Sequence, residues 1–308
     1  MDALTDVLRT LRLRGTVYFQ ADFCAPWGMN IKGGEVANFH IVSKGQCWLR
    51  VHGTGETLSL HEGDLVVFPH GDSHDLLHAE QADAVPAGAL LSKSRSSGGS
   101  LVYGGEGPAT NLICGHFEYD RAAAHPLFGF LPVLMHIPNS EGQDANWLTL
   151  ATQLTVLESN AGREGAGAVV DRLAEVLLIQ VLRAYMSQLE AREGFLGALS
   201  DQGLARVLAL IHDQPERGWT VAGMARHAGM SRSTFAARFK GSLGQTPMQY
   251  LSQWRMIKAR EILQTTDMTT IEVAESIGYQ SEFAFAKMFK RYFGMGPGAM
   301  RKAAKESA

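Results

Sequence analysis

The sequence predicts a two-domain α+β protein, in which a β-barrel with flanking helices precedes an all-α domain. Two observations indicate this division. The first part of the chain has short β-type runs separated by Gly-rich turns, whereas the last part follows the three-to-four-residue period of helices. The charge also changes, because residues 1–199 carry 13 Lys and Arg against 22 Asp and Glu, and residues 200–308 carry 15 against 9. The 308 residues can form two cores, which we place at 1–194 and 200–308, with a hinge at 193–203.

The predicted strands of the first domain lie where β-branched and aromatic residues cluster, at Phe39–Val42, Cys47–Val51, Leu65–Phe68 and Asn111–Phe117. Residues 92–110 are rich in Gly and Ser, so we expect an unpacked loop there, either disordered or a lid over the barrel. From 146 to 193 the period lengthens to that of two helices. Their apolar stripes are broader than one core needs, which predicts a homodimer interface. The stripes include Trp147, Leu150, Leu154, Leu157 and the run from Val169 to Leu189.

The C-terminal domain contains one pattern twice. Six positions recur with the same residue type 49 or 50 residues later, and in the first copy they are Ala225, Gly229, Phe235, Phe239, Gly244 and Pro247. The spacing grows by one in the turn, so the helices of both copies keep their phase. In each copy a capped helix ends at a glycine, and a second helix buries two phenylalanines against it. This order of elements is that of a helix-turn-helix motif.

The face opposite the phenylalanines is free to enter a DNA major groove. The predicted contact residues of the first copy are Arg232, Ser233, Ala237 and Lys240. Those of the second copy are Gln280, Phe283, Lys287, Lys290 and Arg291. A helix predicted over Gln249–Gln264 would be about 24 Å long, so that with its flanking turns it sets the two motifs on adjacent groove segments of double-stranded DNA.

The segment Thr220–Arg301 resembles the paired helix-turn-helix domain of the AraC/XylS transcription regulators. The likeness is carried by runs such as Gly244-Gln-Thr-Pro247 and Gly278-Tyr-Gln-Ser281. It implies DNA and RNA polymerase as partners. This chain departs from the family at Ala236 and Ala237, where a large polar or basic residue is common, and at Met300, where tyrosine is usual. Because alanine offers no hydrogen bond to a base, the first copy is expected to recognise bases weakly, and the second copy would then contribute more of the sequence specificity.

Nine of the eleven histidines precede residue 140. The segment Gly63-x5-Pro69-x-Gly71-x2-His74-x3-His78 resembles the second signature of the cupin fold, and Gly34-x5-His40-x-Val42-x3-Gln46-x6-Gly53 has the spacing of the first. Cupin enzymes bind metal through residues of both signatures, and here Val42 and Gln46 replace two of those ligands. We therefore expect no catalytic residues, although a metal-dependent cupin enzyme fused to a DNA-binding domain is the alternative.

A zinc site is one hypothesis for the remaining donors, which are His40, His74, His78, Cys114 and His116. Residues two or four apart on a strand share a face, so His74 with His78, and Cys114 with His116, are expected to point to the same side. The alternatives are histidines that simply pack or face solvent, and histidines that line a pocket for a small organic ligand.

The order of a degenerate cupin and a paired helix-turn-helix domain resembles the cupin-bearing branch of the AraC-type regulators, and the likeness extends to the Cys114-Gly115 pair and the run from His125 to Pro132. This branch includes activators that respond to reactive chlorine. The resemblance implies an activator with an oxidant or small-molecule inducer, and Cys24 as an oxidisable thiol. The alternative for Cys24 is a small buried hydrophobe.

Composition bears on the compartment. No run of apolar residues reaches eighteen, and the segment Met1–Arg14 lacks a signal-peptide core. Three cysteines do not make a disulfide framework. We expect a soluble cytoplasmic protein with no membrane partner.

Overall fold

The computed structural model describes residues 2–10, 14–97, 100–119, 126–139, 150–151, 153–155, 157–158, 163–188 and 194–306. Internal contacts divide the chain into two compact units. The β unit contains Leu13–Tyr119 and Leu131–Gln188, and the helical unit contains Met1–Arg12, Asp120–Phe130 and Leu189–Ala308. Two segments that precede the predicted domain boundary therefore group with the C-terminal helices.

The described part of the β unit forms two sheets. In chain order the strands are β1 (Arg14–Cys24), β2 (Gly28–Ile31), β3 (Ala37–Lys44), β4 (Gln46–Val51), β5 (Thr57–His61), β6 (Leu65–Phe68), β7 (His74–Leu77), β8 (Val85–Pro86), β9 (Arg95–Ser97), β10 (Ser100–Gly104), β11 (Ala109–Glu118) and β12 (Met135–Ile137). The seven-stranded sheet has the order β12-β6-β3-β11-β1-β10-β9, and the five-stranded sheet has the order β5-β4-β7-β2-β8. All four strands predicted from the sequence are present.

The core of the β unit lies between these sheets. In β4, Cys47, Leu49 and Val51 are buried and alternate with more exposed residues, as a period of two requires. They pack in one cluster with residues of the other sheet, such as Val66 and Leu112. Within the described strands neither sheet closes on itself, so the predicted barrel is not confirmed and the unit is a sandwich.

The helices with described bounds are α1 (Ala3–Thr10), α2 (Ala87–Leu91), α3 (Pro126–Gly129), α4 (Ala166–Gln188), α5 (Gly194–Ser200), α6 (Gln202–Asp213), α7 (Val221–His227), α8 (Arg232–Leu243), α9 (Pro247–Thr265), α10 (Thr270–Ser276), α11 (Glu282–Phe293) and α12 (Pro297–Glu306). In the β unit α4 packs on β1, β11 and β12. Gly15 of β1 lies so close to Ala174 of α4 that a Cβ at this position would collide with it, and the missing side chain lets the helix approach the sheet. Of the helix predicted to begin at 146, the described residues between 150 and 158 are helical, whereas Trp147 lies outside the described residues.

The prediction of an unpacked loop at 92–110 is wrong for two stretches. Residues 95–97 and 100–104 form β9 and β10, and β10 pairs in parallel with β1. Leu101 and Tyr103 of β10 are partly buried against the core, and this burial stabilises the strand. The high Gly and Ser content of the segment gave no sign of it. Gly104 has φ +112° beside the carbonyl of Cys24, a close approach that a side chain would prevent. Residues 98 and 99 lie outside the described residues.

The segment predicted as a hinge, 193–203, is helical in its described part. α5 buries Phe195 and Leu196, and Asp201 caps α6 immediately afterwards. Residues 194–203 are thus not an open linker, because their apolar side chains pack inside the helical unit, and their role as a hinge stays a prediction. Among the helices described, no single one is long and apolar enough to cross a membrane. Taken together α5 and α6 meet that criterion by length and composition, with a bend of 110° at the break between them.

The N-terminal helix α1 is an integral part of the helical unit. It buries Ala3, Leu4 and Val7 and contacts α6 and α9. Asp2 caps it, since its carboxylate accepts the Thr5 backbone N–H at 2.9 Å. The N-terminal segment that precedes β1 is thus attached to the C-terminal helices.

Candidate nucleic-acid interface and interior polar site

The first helix-turn-helix motif consists of α7 and α8. Thr220 caps α7 by accepting the Gly223 N–H at 3.0 Å, and Ser231 caps α8 by accepting the Thr234 N–H at 3.2 Å. Between the helices, Gly229 takes φ +68°. Phe235 and Phe239 of α8 are fully buried, with ring centroids 5.5 Å apart. Each of these roles was predicted from the sequence and is confirmed.

The second motif, α10 and α11, repeats this construction. Thr269 and Glu272 form a capping box at the start of α10, and Ser281 caps α11. The turn residue Gly278 has φ +83°. Phe285 and Phe289 of α11 are fully buried in a cluster that also contains Met256, Ala259, Leu263 and Met300. The helix pairs are offset by 49 residues at α7 and α10 and by 50 at α8 and α11, so the extra residue lies in the turn.

The linking helix α9 supports both motifs. It is longer than the predicted Gln249–Gln264, because Thr246 and Gln249 form a capping box and Pro247 begins the helix. Its nineteen residues correspond to about 28 Å. Tyr250 meets Phe239 of the first motif edge-to-face at 5.7 Å, whereas Met256 and Leu263 pack into the second core.

The predicted DNA-contacting residues all lie on the exposed side of the helical unit. This holds for Arg232, Ser233, Ala237 and Lys240 in the first motif, and for Gln280, Phe283, Lys287, Lys290 and Arg291 in the second. Phe283 is 79 % exposed, the largest value among the large hydrophobic residues whose exposure the structure describes. The two recognition helices α8 and α11 therefore present unlike faces: α8 offers short side chains with a basic residue near each end, and α11 offers an aromatic ring and three cations. Contact of these residues with DNA stays a prediction.

One contact of α8 was not predicted. Arg238 forms an ion pair with Asp201, with Nη2 and Oδ2 2.7 Å apart. Asp201 also caps α6, because its Oδ1 accepts the backbone N–H groups of Gly203 and Leu204 at 2.9 and 3.1 Å. The cap could have been found from the sequence, but nothing local connects residue 201 with residue 238.

Inside the β unit, three of the predicted metal ligands form a hydrogen-bonded chain. His40 and Cys114 lie opposite each other on β3 and β11, with Nδ1 and Sγ 3.0 Å apart. The other nitrogen of His40, Nε2, is 2.8 Å from Nε2 of His74 on β7. His74 Nδ1 lies 2.8 Å from the carbonyl oxygen of Asp72 and its ring stacks on Phe68.

The proton positions follow from this geometry. Only an N–H can bond a carbonyl, so His74 Nδ1 donates to Asp72 and its Nε2 accepts from His40 Nε2. His40 Nδ1 then accepts from the Cys114 thiol. Burial lowers the pKa of His40 well below its usual value and that of His74 to about 4, and it raises the pKa of Cys114. The chain is therefore neutral.

The five predicted zinc ligands do not meet. His78 follows the end of β7, and its Nδ1 lies 2.7 Å from the carbonyl oxygen of Trp27, while His116 Nε2 lies 2.9 Å from Glu118. The expectation that His78 shares a face with His74 is wrong, because the strand ends at Leu77. His40 uses opposite ring nitrogens toward Cys114 and His74, so these donors do not converge on one ion. In the part of the chain that the structure describes, no group of three or more His, Cys, Asp or Glu residues could hold a metal.

The three cysteines differ in burial, and none is in a disulfide. Cys47 and Cys114 are buried, and burial raises the pKa of Cys47 to about 12. Cys24 is half-buried at the end of β1, beside the stacked rings of Phe23 and Trp27. It is the cysteine that a solvent oxidant reaches most directly.

A two-sheet domain with an interior polar site, together with paired helix-turn-helix motifs, defines a DNA-binding transcription regulator. Residues 2–187 match the family described as Cupin, and residues 224–303 match the family described as Helix-turn-helix domain. A putative AraC-like transcription regulator of Streptomyces lividans is 32% identical over 307 residues, which cover 98% of both chains. The chain belongs to the cupin-bearing AraC-like transcription regulators.

The chain is also similar to a second full-length regulator and to a solved DNA-binding domain. The RCS-specific HTH-type transcriptional activator RclR of Escherichia coli K12 is 26% identical over 310 residues, which cover 100% of each chain. A crystal structure of the DNA-binding domain of AdpA with a target DNA is similar over 33% of this chain and 93% of that one, with 35% identity and a TM-score of 0.32. Because the full-length relatives are named as regulators, the alternative of a cupin enzyme is not favoured.

Proposed function

We propose that this protein is a transcription activator that inserts α8 and α11 into successive major grooves and recruits RNA polymerase when its β unit receives a signal. The observation that carries the proposal is the exposure of predicted contact residues opposite fully buried phenylalanines in both motifs. The excess of 15 Lys and Arg over 9 Asp and Glu in residues 200–308 supports it, because phosphate binding requires such charge.

The second motif carries most of the base discrimination. Phe283 exposes 79 % of its surface to water, which is unfavourable for a phenylalanine with no partner. At the start of a recognition helix the ring can cover a thymine methyl group. Ala236 and Ala237 of α8 offer no donor or acceptor to a base edge, so the first motif mainly positions the protein on the backbone.

The signal reaches α8 through segments that pack on it within the helical unit. α5 contacts α8, and Phe130 lies against the C-cap of α8, where a Cβ on Gly244 would be 3.0 Å from its Cζ. The ion pair between Asp201 and Arg238 is a third connection. In the chain Phe130 is followed directly by Leu131 of the β unit, so a signal received by the β unit can change the contacts of Phe130. This changes the position of α8 only if the signal binds or favours one arrangement of these contacts more than another.

The signal is an oxidant or a small molecule, and the acting form is a homodimer. The half-buried thiol of Cys24 supports the first kind of signal, and a cavity in the β unit, described below, supports the second. Apolar side chains exposed on the helical turns at 150–158 and on α4 support dimerisation, since water would otherwise cover them. They are Leu150, Leu154, Leu157, Val169 and Val176, between 39 and 64 % exposed.

Fluorescence anisotropy on a duplex obtained by selection from random sequence tests DNA binding. We expect Lys287→Ala to weaken binding by about 1–3 kcal/mol, and Lys32→Ala, an exposed lysine of the β unit, to leave it unchanged. Binding to no selected sequence, or equal losses for both variants, would contradict the proposed interface.

A further inference from the structure

The β unit contains a cavity of about 480 Å³ between its two sheets, within the size range of small-molecule sites. Its walls come from both sheets: Met29 belongs to β2, Leu101 to β10 and Cys114 to β11. The helix α2 contributes Leu91 to the rim and contacts β2, β8 and β10. The cavity is distinct from the DNA-binding surface, which lies in the other unit.

Most of the lining is apolar. Met29 is buried, whereas Leu91 and Leu101 are only half-buried and pack on the core at the rim. A molecule that covered these side chains would remove apolar surface from water, the main favourable contribution to binding in such a site. An alkyl chain or an unsubstituted ring meets that requirement.

The polar part of the lining consists of three neighbouring side chains, Asn38, His40 and Cys114. His40 already uses one ring nitrogen on Cys114 and the other on His74. Asn38, two residues from His40 on β3 and on the same face, is 93 % buried, since its relative exposure is 7 %. For its amide no hydrogen bond is found among the described residues. Because Asn38 lines the cavity, its amide can bond a ligand that supplies one donor or acceptor.

The lining excludes charged ligands. None of the described residues that line the cavity is Lys, Arg, Asp or Glu. A carboxylate moved from water into this site would have no cation to offset its desolvation. We propose that the cavity binds a neutral, largely apolar molecule with a single hydroxyl or carbonyl group, and that this group bonds the Asn38 amide. The inference rests on the proposed function only in assigning this molecule as the signal.

Three probes with the same chain length test the ligand class: 1-octanol, octanal and sodium octanoate at pH 7.5, added to the full-length protein below their aggregation concentrations. We expect 1-octanol and octanal to raise the Tm by at least about 3 °C at saturation and to give a measurable Kd by calorimetry. Octanoate should bind at least tenfold more weakly. No binding of either neutral probe, or octanoate binding as tightly, would overturn the proposal.

Two variants test whether octanol binds in this cavity. Leu101→Trp fills the space and should abolish octanol binding, and Asn38→Leu should weaken it at least fivefold. The control Val85→Trp, at a position 42 % exposed and not in the lining, should bind as the unchanged protein does. If Leu101→Trp does not fold, Ala87→Phe at the half-buried rim replaces it. Unchanged binding by the filled variant would overturn the assignment.

DNA affinity, measured for the same proteins without octanol, separates this inference from the proposed function. If the unchanged protein binds DNA but not octanol, only the ligand site is contradicted. If it binds octanol but no DNA, the proposed function is contradicted and the ligand site is supported.

Discussion

Arg238, on the first recognition helix, is held at 2.7 Å by Asp201, the residue that also caps α6. One carboxylate therefore joins the start of the C-terminal helices to a helix expected to lie in the major groove. Asp201 is 6 % exposed and the Arg238 side chain 42 %, so solvent screens the pair from one side and its own contribution is about 1 kcal/mol or less. Its importance lies in the position of α8 more than in stability.

The two roles of Asp201 can be separated by substitution. Asp201→Asn keeps a good N-cap and removes the charge, so we expect a loss of less than about 1 kcal/mol in the free energy of unfolding. Asp201→Ala removes the cap as well and should cost about 1–2 kcal/mol. Urea unfolding of the full chain measures both, and an equal loss for the two variants would contradict this division of roles.

Phe283 and Phe285 form a matched pair on α11, one 79 % exposed and the other fully buried. Phe283→Ala should change the free energy of unfolding by no more than about 0.5 kcal/mol while weakening binding to the selected duplex about fivefold or more. Phe285→Ala should cost about 3–5 kcal/mol of stability, because it opens a cavity. Thermal unfolding and anisotropy separate the two effects, and unchanged DNA affinity in Phe283→Ala would remove the ring from the interface.

The pH dependence of the helical unit should reflect His212. Its Nε2 bonds the Tyr250 hydroxyl at 2.7 Å and its ring stacks on Trp254, and burial lowers its pKa from 6.5 to about 3. The unfolded imidazole takes up a proton below about pH 6.5 and the folded one does not, so stability falls as the pH falls from 6.5 toward 3. At pH 5 the loss is about 2 kcal/mol.

Hydrogen exchange of the amides in α6 and α9 measures this loss. We expect protection to decrease between pH 7 and pH 5, after correction for intrinsic exchange, and the decrease to be much smaller in His212→Gln. The same decrease in both proteins would exclude His212 as the cause.

The hydrogen-bonded arrangement of His40, His74 and Cys114 makes a definite prediction about zinc. Because these donors do not converge on one point, protein purified without a histidine tag should contain less than about a tenth of an equivalent of zinc. Elemental analysis checks this. One equivalent that is lost in His40→Ala would mean that the rings turn to bind a metal.

The cysteines should differ in reactivity. In the folded protein a maleimide should label Cys24 only, since Cys47 and Cys114 are buried thiols, and unfolding should expose all three. Mass spectrometry counts the labels. If oxidation of Cys24 is the signal, Cys24→Ser should abolish the transcriptional response to hypochlorite, and a full response in that variant would assign the signal elsewhere.

The C-terminal motifs were predictable nearly residue by residue because their signals are local. Caps, glycines at positive φ and phenylalanines four apart act within one or two turns of the chain. The pairing of Arg238 with Asp201 depends on how helices pack, and no local pattern encodes it. α9 also exceeded its predicted bounds because its capping box precedes the apolar period that defined it.

The β unit was less predictable because its contacts join distant strands. β9 and β10 were missed, since their glycines and serines hide two packed side chains, Leu101 and Tyr103. Of the five residues predicted as zinc ligands, the structure brings together His40, His74 and Cys114. His78 was grouped with them because the end of β7 at Leu77 could not be located from the sequence. Nor does the sequence indicate that α1 packs with the C-terminal helices.

The central claim is that α8 and α11 occupy successive major-groove segments on one face of DNA. Methylation interference on the selected duplex tests it most directly, because guanine N7 lies in the major groove. We predict two interfering clusters about 10 base pairs apart, with the cluster assigned to α11 lost in Phe283→Ala. A single cluster, or two that both persist unchanged in that variant, would contradict the account.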